Sequence, residues 1–418
     1  MERFSKIKQE LAHYDQEQVL AFWEELSEQE QHHLLDDIER VNLAEISIIS
    51  RKLLSNHSPE RNNIRGVPYD KLEDFTETQL HRYKERGLEL IRRGRVAVVL
   101  LAGGQGTRLG HEGPKGTFDI GLPGHESLFE LQAKALLKLC KKTGCRIPWY
   151  IMTSPANDWD TKDFFKKHGY FGFYPDDIMF FLQDTVPTLN SAGKLMLKTK
   201  SSLSRSPNGN GGVFPALKSS GALDDMEQRG VKWLFQYNVD NAMIKLADPV
   251  FVGYAEEKDS PIATKSASKR NPEEKVGVFC LIEGRPAVIE YSELTKEESG
   301  NPEMMNAHIS IHLFKLDFVK AVADQPMPYH LASKAIPTLD ERGEEVKPSE
   351  PNGYKLEQFY FDLFPEAESI AVLQVPREKE FAPVKNKSGE DSAETARAMI
   401  LSNANQDQIR YRLGGEGL

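Results

Sequence analysis

The stretch LLAGGQGTRLGHEGPKG, residues 100–116, gathers Gly103, Gly104, Gly106 and Gly110 around Arg108 and ends on Pro114, Lys115 and Gly116. Glycines that follow an apolar run let backbone amides approach an anion without interference from Cβ atoms. Arg108 and Lys115 add charge-assisted donors, and Pro114 stiffens the approach to Lys115. That combination suits the cradling of a polyphosphate. Two familiar phosphate loops fail on spacing. In G-x-x-x-x-G-K-[ST] the lysine follows a glycine, whereas Lys115 follows Pro114. In G-x-G-x-x-G the third glycine comes one residue earlier than it does after Gly104 and Gly106, which removes the main argument for a nicotinamide-dependent oxidoreductase. A tight turn with surface cations would explain two glycines, but the full string asks for a ligand.

Asp240 ends the apolar run WLFQYNVD, at the strand end where open α/β sheets place ligands. One carboxylate, joined by phosphate oxygens and waters, is a usual way to hold Mg²⁺. Asp240 is therefore the leading metal or nucleotide ligand, with a helix cap for NAMIKLADP as the plain alternative. The acids of DWD, Asp158–Asp160, mimic a metal motif but open the helical pattern TKDFFKKHG, and first-turn acids complement exposed amides. Read alone, Gln183 is a strand-end residue and SPNGNGG a turn. His111 and His125 flank the loop without a required role, and no nucleophilic triad stands out.

These residues need a scaffold. VAVVLL, IPWYIMT, IMFFLQ and WLFQYNV are short continuous apolar runs, expected of strands covered on both faces, and helical stretches alternate with them. The fold expected is α/β, a doubly wound, mainly parallel sheet with a helical N-terminal region and a small C-terminal part. Ser27 and Glu30 form a capping-box pattern, residues 55–68 read as a linker, and AETARAMILSNANQDQIRYRL reads as a closing helix. The divisions expected are 1–90, 91–385 and 386–418. The 418 residues carry 39% apolar and 28% charged side chains and a net charge of −10, which argues against a nucleic-acid binder. Cys140, Cys145 and Cys280 suit no disulfide framework or C-x-x-C knuckle. With no apolar run of spanning length and a polar N-terminus, a cytoplasmic protein without membrane contact is expected.

LAGGQGTRLGHEGPKG resembles the signature of sugar-1-phosphate uridylyltransferases, L-x-x-G-x-G-T-R-L-G followed by P-K, and within them the UDP-N-acetylhexosamine pyrophosphorylases. IPWYIMTS, PNGNGGVFPAL, DMEQRGVKWLFQYNVDN, IEYSEL, KPSEPNGYKLEQFYFDLF and REKEFAPVKN extend the likeness across about residues 95–400. The resemblance implies uridylyl transfer from UTP to a sugar 1-phosphate, N-acetylglucosamine 1-phosphate first among them, with pyrophosphate and a UDP-sugar as products and Mg²⁺ as cofactor. It places Leu101, Ala102, Gly103, Gly104, Gln183, Gly209 and Asp240 at the nucleotide, with Gln183 reading uracil. Arg108, Lys115, Lys355 and Lys385 fall to the phosphates. Asn210, Glu290 and Tyr291 fall to the sugar, which Lys385 also borders. Arg108, Lys115 and Lys385 are the catalytic candidates.

NAHISIH departs from the family's approximate N-A-G-N-I-A: a residue is missing and His308 replaces a sugar-contacting asparagine. A glucose- or galactose-1-phosphate uridylyltransferase and a nucleotide-sugar-binding regulatory module are the alternatives. The chain stops at GGEGL, where eukaryotic relatives continue into a β-rich domain, so the shorter, bacterial type is expected. Oligomerisation through that domain does not carry over, and the oligomeric state stays open.

Overall fold

A computed structural model describes residues 2–55, 61 and 63–412. The chain forms two compact units: a smaller one from 1–60, 184–212 and 326–360, and a larger one from 61–183, 213–325 and 361–418. The expected divisions at 90/91 and 385/386 are therefore not where the units part. The reason is long-range packing that no local pattern carries. In the smaller unit Leu11, Leu34 and Ile38 of the N-terminal helices share one buried cluster with Leu189, Leu195 and Leu356.

In that unit the helices Glu2–His13, Glu28–Glu39 and Leu43–Ser55 come first. Ser27 and Glu30 form the expected capping box, with the Ser27 N–H donating to Glu30 at 2.9 Å. Asp37, against the same core, accepts from Leu203 N–H at 2.8 Å and pairs with Arg205 at 3.1 Å. Of the expected linker, residues 56–60 and 62 lie outside the described residues.

The larger unit holds the site's frame, an 11-stranded sheet. Its strands are β1 (Ile64–Gly66), β2 (Asp70–Lys71), β3 (Val96–Leu101), β4 (Trp149–Thr153), β5 (Ile178–Leu182), β6 (Trp233–Asn238), β7 (Ile262–Ser268), β8 (Val278–Ile282), β9 (Arg285–Ile289), β10 (Asn306–Lys315) and β11 (Ile370–Gln374). The main order is β2-β11-β7-β10-β6-β3-β4-β5, and β8 pairs with β1, β9 and β10. Neighbours along the path run parallel except at β10, which is antiparallel to both β6 and β7. The α/β class and mainly parallel core are thus present. All four apolar runs are strands, and β3 and β4 are buried along their whole length, as continuous apolarity requires.

Helix Glu77–Arg92, expected with the N-terminal region, belongs to this unit and packs on helix Pro249–Lys258. The crossing is close because Gly87 and Gly253 lie in it: a Cβ on either would come within 2 Å of a carbonyl oxygen of the opposite helix. The closing helix spans Ala393–Arg412, and its Ala396 is buried with Leu109, Ile120 and Val384 beneath the glycine-rich loop.

Candidate active site

β3 delivers the chain to the loop at its C-terminal end, and pairing continues one residue further as Ala102 N–H donates to Met152 O at 2.9 Å. At Gly103 a Cβ would lie 2.2 Å from Gln183 Oε1, so only glycine lets the buried Gln183 amide lie against the loop. Gly104 has open space where its Cβ would be. The loop closes on itself through Lys115 N–H to Gly104 O at 3.1 Å and Gly106 N–H to Gly113 O at 2.9 Å. His111 braces it, 2.7 Å from Thr117 Oγ1. Arg108 is exposed and makes no hydrogen bond or ion pair with a described residue.

Lys115 Nζ meets Asp240 Oδ2 at 3.3 Å, both side chains mostly buried. Asp240 caps no helix. The next helix begins at Pro249, and Asp248 caps it by accepting from Val250 N–H at 3.1 Å. The Asp240 carbonyl accepts from Val384 N–H at 2.9 Å, which ties the segment of Lys385 to the strand end, while the Lys385 ammonium itself lies 3.9 Å from Asp391.

The field of Lys385 reaches His308, whose pKa burial pushes down to about 3, with Lys385 adding to the shift. His308 and His312 stack with ring centres 5.1 Å apart and their Nε2 atoms 3.1 Å apart. Both are neutral, because burial also holds His312 well below the usual histidine range. Opposite the step from Lys265 to Ser266 of β7, β10 bulges at Ile309 and Ser310, which have no partner there, and His308 comes opposite Ser266. His308 N–H donates to Gly277 O at 2.8 Å, and a Cβ on Gly277 would lie 3.0 Å from Glu290 Oε1. In the larger unit Leu101 and Ala102 lead into Gly103 and Gly104, Gln183 lies against Gly103, Lys115 pairs with Asp240, and His308 is tied through Gly277 to Glu290. Tyr291 is exposed.

Gly209, Asn210 and Lys355 lie in the smaller unit. Gly209 has φ +79°, and Asn210 Oδ1 accepts from Tyr360 N–H at 3.3 Å. Lys355 is half-buried on strand Gly353–Glu357, opposite Ala332.

Sequence reasoning missed the support beneath these groups. Lys265, 1% exposed, donates to Asp248 at 2.6 Å and to Glu380 at 2.5 Å. Burial opposes its charge, yet the two carboxylates outweigh that and raise its pKa. Asn241 Nδ2 donates to Glu380 O at 2.8 Å and its Oδ1 accepts from Ala382 N–H at 3.0 Å, pinning the segment that carries Lys385. Ser154 and Asn157, just past the C-terminal end of β4, were also passed over, although that end is where ligand-supporting residues gather. Asp158 is a first-turn acid as expected: it accepts from Thr153 Oγ1 at 2.6 Å and pairs with Lys162 at 2.7 Å.

Among the described residues no three His, Cys, Asp or Glu side chains group as a metal cage, and no helix is long and apolar enough to cross a membrane. The family model described as UTP--glucose-1-phosphate uridylyltransferase matches residues 46–405. UDP-N-acetylglucosamine diphosphorylase 2 of Arabidopsis thaliana is 42% identical, over 94% of this chain and 82% of the relative. UDP-N-acetylglucosamine pyrophosphorylase of Saccharomyces cerevisiae is 39% identical, over 92% and 87%. Among solved structures, the uridine diphosphate N-acetylglucosamine pyrophosphorylase of Trypanosoma brucei superposes with a TM-score of 0.81 at 28% identity, covering 98% of this chain and 86% of that one. The match over residues 46–405 and these relatives show that the chain belongs to the UTP–glucose-1-phosphate uridylyltransferase family of nucleotidyltransferases.

Proposed function

We propose that the protein transfers the uridylyl group of UTP to N-acetylglucosamine 1-phosphate, or a close N-acetylhexosamine 1-phosphate, in the cytoplasm. The observation that carries this reading is the contact of Gln183 with Gly103 on one side of the loop and of Lys115 with Asp240 on the other. A base reader and a phosphate binder then flank an open backbone at Gly104. The names of the Arabidopsis and yeast relatives favour the acetamido sugar. Three free cysteines suit a reducing compartment.

A phosphate oxygen of the sugar phosphate attacks the α-phosphorus of UTP, a new P–O bond forms, and the bond to the bridging oxygen breaks as pyrophosphate leaves. The nucleophile is already an anion, so no general base is required. The obstacle is repulsion: two unit charges ~4 Å apart cost about 4 kcal/mol at an effective dielectric of 20. Lys115, Arg108 and Lys385 of the larger unit are the cations proposed to offset it, and the Gln183 amide can both donate to and accept from uracil. Asp240 supplies one hard carboxylate oxygen beyond the one facing Lys115, a donor that suits Mg²⁺ held mainly by phosphate oxygens and water. Mg²⁺ bound there would neutralise phosphate charge. In the larger unit Glu290 offers an acceptor to sugar hydroxyls, and Tyr291 an exposed face.

A glucose or galactose acceptor is the second reading, favoured by His308, a neutral imidazole where an amide was expected. Pyrophosphate release from UTP should be measured with the 1-phosphates of N-acetylglucosamine, N-acetylgalactosamine, glucose and galactose. We expect the acetamido sugars to lead. Equal or faster turnover of glucose 1-phosphate would overturn the assignment.

A further inference from the structure

Asn157 stands at the N-cap position of helix Asp158–Lys167, yet its side chain makes no capping bond. It turns back towards the loop instead. Asn157 Nδ2 donates to Ala102 O at 2.8 Å and to Gly104 O at 3.2 Å, while Ser154 Oγ lies 2.8 Å from Gly103 O. Three successive carbonyls are therefore drawn to one polar pair, and each of its members is about 1% exposed. The pair is itself fixed, since Asn157 Oδ1 accepts from Ser154 N–H at 2.9 Å. Gln105 Nε2 closes the far end by donating to Ala156 O at 3.0 Å.

A trans peptide holds its N–H opposite its C=O. With the carbonyls of Ala102, Gly103 and Gly104 directed inward, the N–H groups of Gly103, Gly104 and Gln105 must face the other way. None of the three donates to an acceptor among the described residues. Successive N–H groups left facing one side make an anion-binding concavity. A buried asparagine that gives up helix capping to hold carbonyls makes sense if the direction of those donors matters.

We infer that Asn157, seconded by Ser154, is a positioning residue that aims three backbone N–H donors at the nucleotide's phosphates without touching them. The inference rests on the reading that this loop holds the phosphates. Asn157→Asp preserves size and the Oδ1 acceptor but turns the donor into a carboxylate facing carbonyl oxygens. Calorimetric titration with UTP and with uridine separates the roles. The expected result is a UTP affinity weakened roughly 10- to 100-fold, with uridine affinity changed by less than about threefold. Asn157→Ala, which removes the donor without adding charge, should move the two ligands in the same pattern and serves if the aspartate variant does not fold. Equal losses for uridine and UTP, or no loss for either, would overturn the inference by reducing Asn157 to general scaffolding. Gly104→Val tests the underlying reading, because its side chain enters open space. If it spares UTP binding, the loop is not the phosphate site and both ideas fall. If it abolishes UTP binding while the Asn157 variants do not, only the positioning role falls.

Discussion

Gly103→Ala tests the contact proposed to hold the base-reading amide. The new Cβ would sit 2.2 Å from Gln183 Oε1 and 3.2 Å from its Cδ, with Ser154 Cβ at 3.5 Å. Since the nearest atom is the end of a side chain, relief comes from swinging the amide aside. The β3 core is untouched, and stability should change by no more than about 1 kcal/mol. A displaced amide cannot hold both polar edge atoms of uracil. Two hydrogen bonds at about 0.5–1.5 kcal/mol each amount to about 1–3 kcal/mol, or roughly 5- to 150-fold in kcat/KM for UTP. The assay is pyrophosphate release with UTP and with CTP, comparing Gly103→Ala with wild type and with Gly104→Ala. Gly103→Ala should erode the preference for UTP over CTP, whereas Gly104→Ala should weaken both nucleotides alike. A UTP/CTP ratio kept within about twofold in Gly103→Ala would refute the reasoning, because so small a change is under one hydrogen bond.

Lys115→Ala should lower kcat by roughly 10²–10³, the usual effect of deleting one oriented donor at developing charge; near-wild-type turnover would remove Lys115 from the mechanism. Asp240→Asn should raise the Mg²⁺ concentration needed for half-maximal rate, and an unchanged metal titration would assign Asp240 to holding Lys115 alone. Acid should destabilise the fold through His308 and His312. Their folded pKa values lie below the unfolded value near 6.5, so the unfolded chain binds protons that the fold refuses, and stability falls as pH drops from about 6.5 towards 3. At pH 5.5, below the unfolded value, each buried neutral histidine costs on the order of 1 kcal/mol. Urea melts of the His308→Gln, His312→Gln pair should show a flatter loss between pH 7 and 5, and an undiminished slope would place the acid sensitivity elsewhere.

What the sequence made legible was local. Four apolar runs announced strands, because a strand covered on both faces has to be apolar throughout, and the glycine string announced a bare loop at the end of one of them. Asp240 could be placed at a strand end, but only the structure removes its capping alternative, by starting the helix at Pro249 under Asp248. The closeness of Gln183 to Gly103 depends on the pairing of β4 with β5, a register that no single strand encodes. Lys265 was invisible because a lysine is ordinarily solvated. Here it is buried because Asp248 and Glu380, distant in sequence, converge on it. Asn157 stood out in no pattern of the sequence, and its bonds to the carbonyls of Ala102 and Gly104 are visible only in the fold. The domain divisions failed for the same reason, since contiguity along the chain does not decide which segments share a core.

The smaller unit is written in three separated stretches, and this sets a timetable for synthesis. Its N-terminal helices leave the ribosome first, but the cluster that covers their apolar faces includes Leu189 and Leu195 and is completed by Leu356. Until that leucine emerges, Leu11, Leu34 and Ile38 must wait with their cover unfinished. A nascent chain stalled before strand Gly353–Glu357 would carry helices whose apolar faces are only partly covered, the kind of surface that chaperones hold.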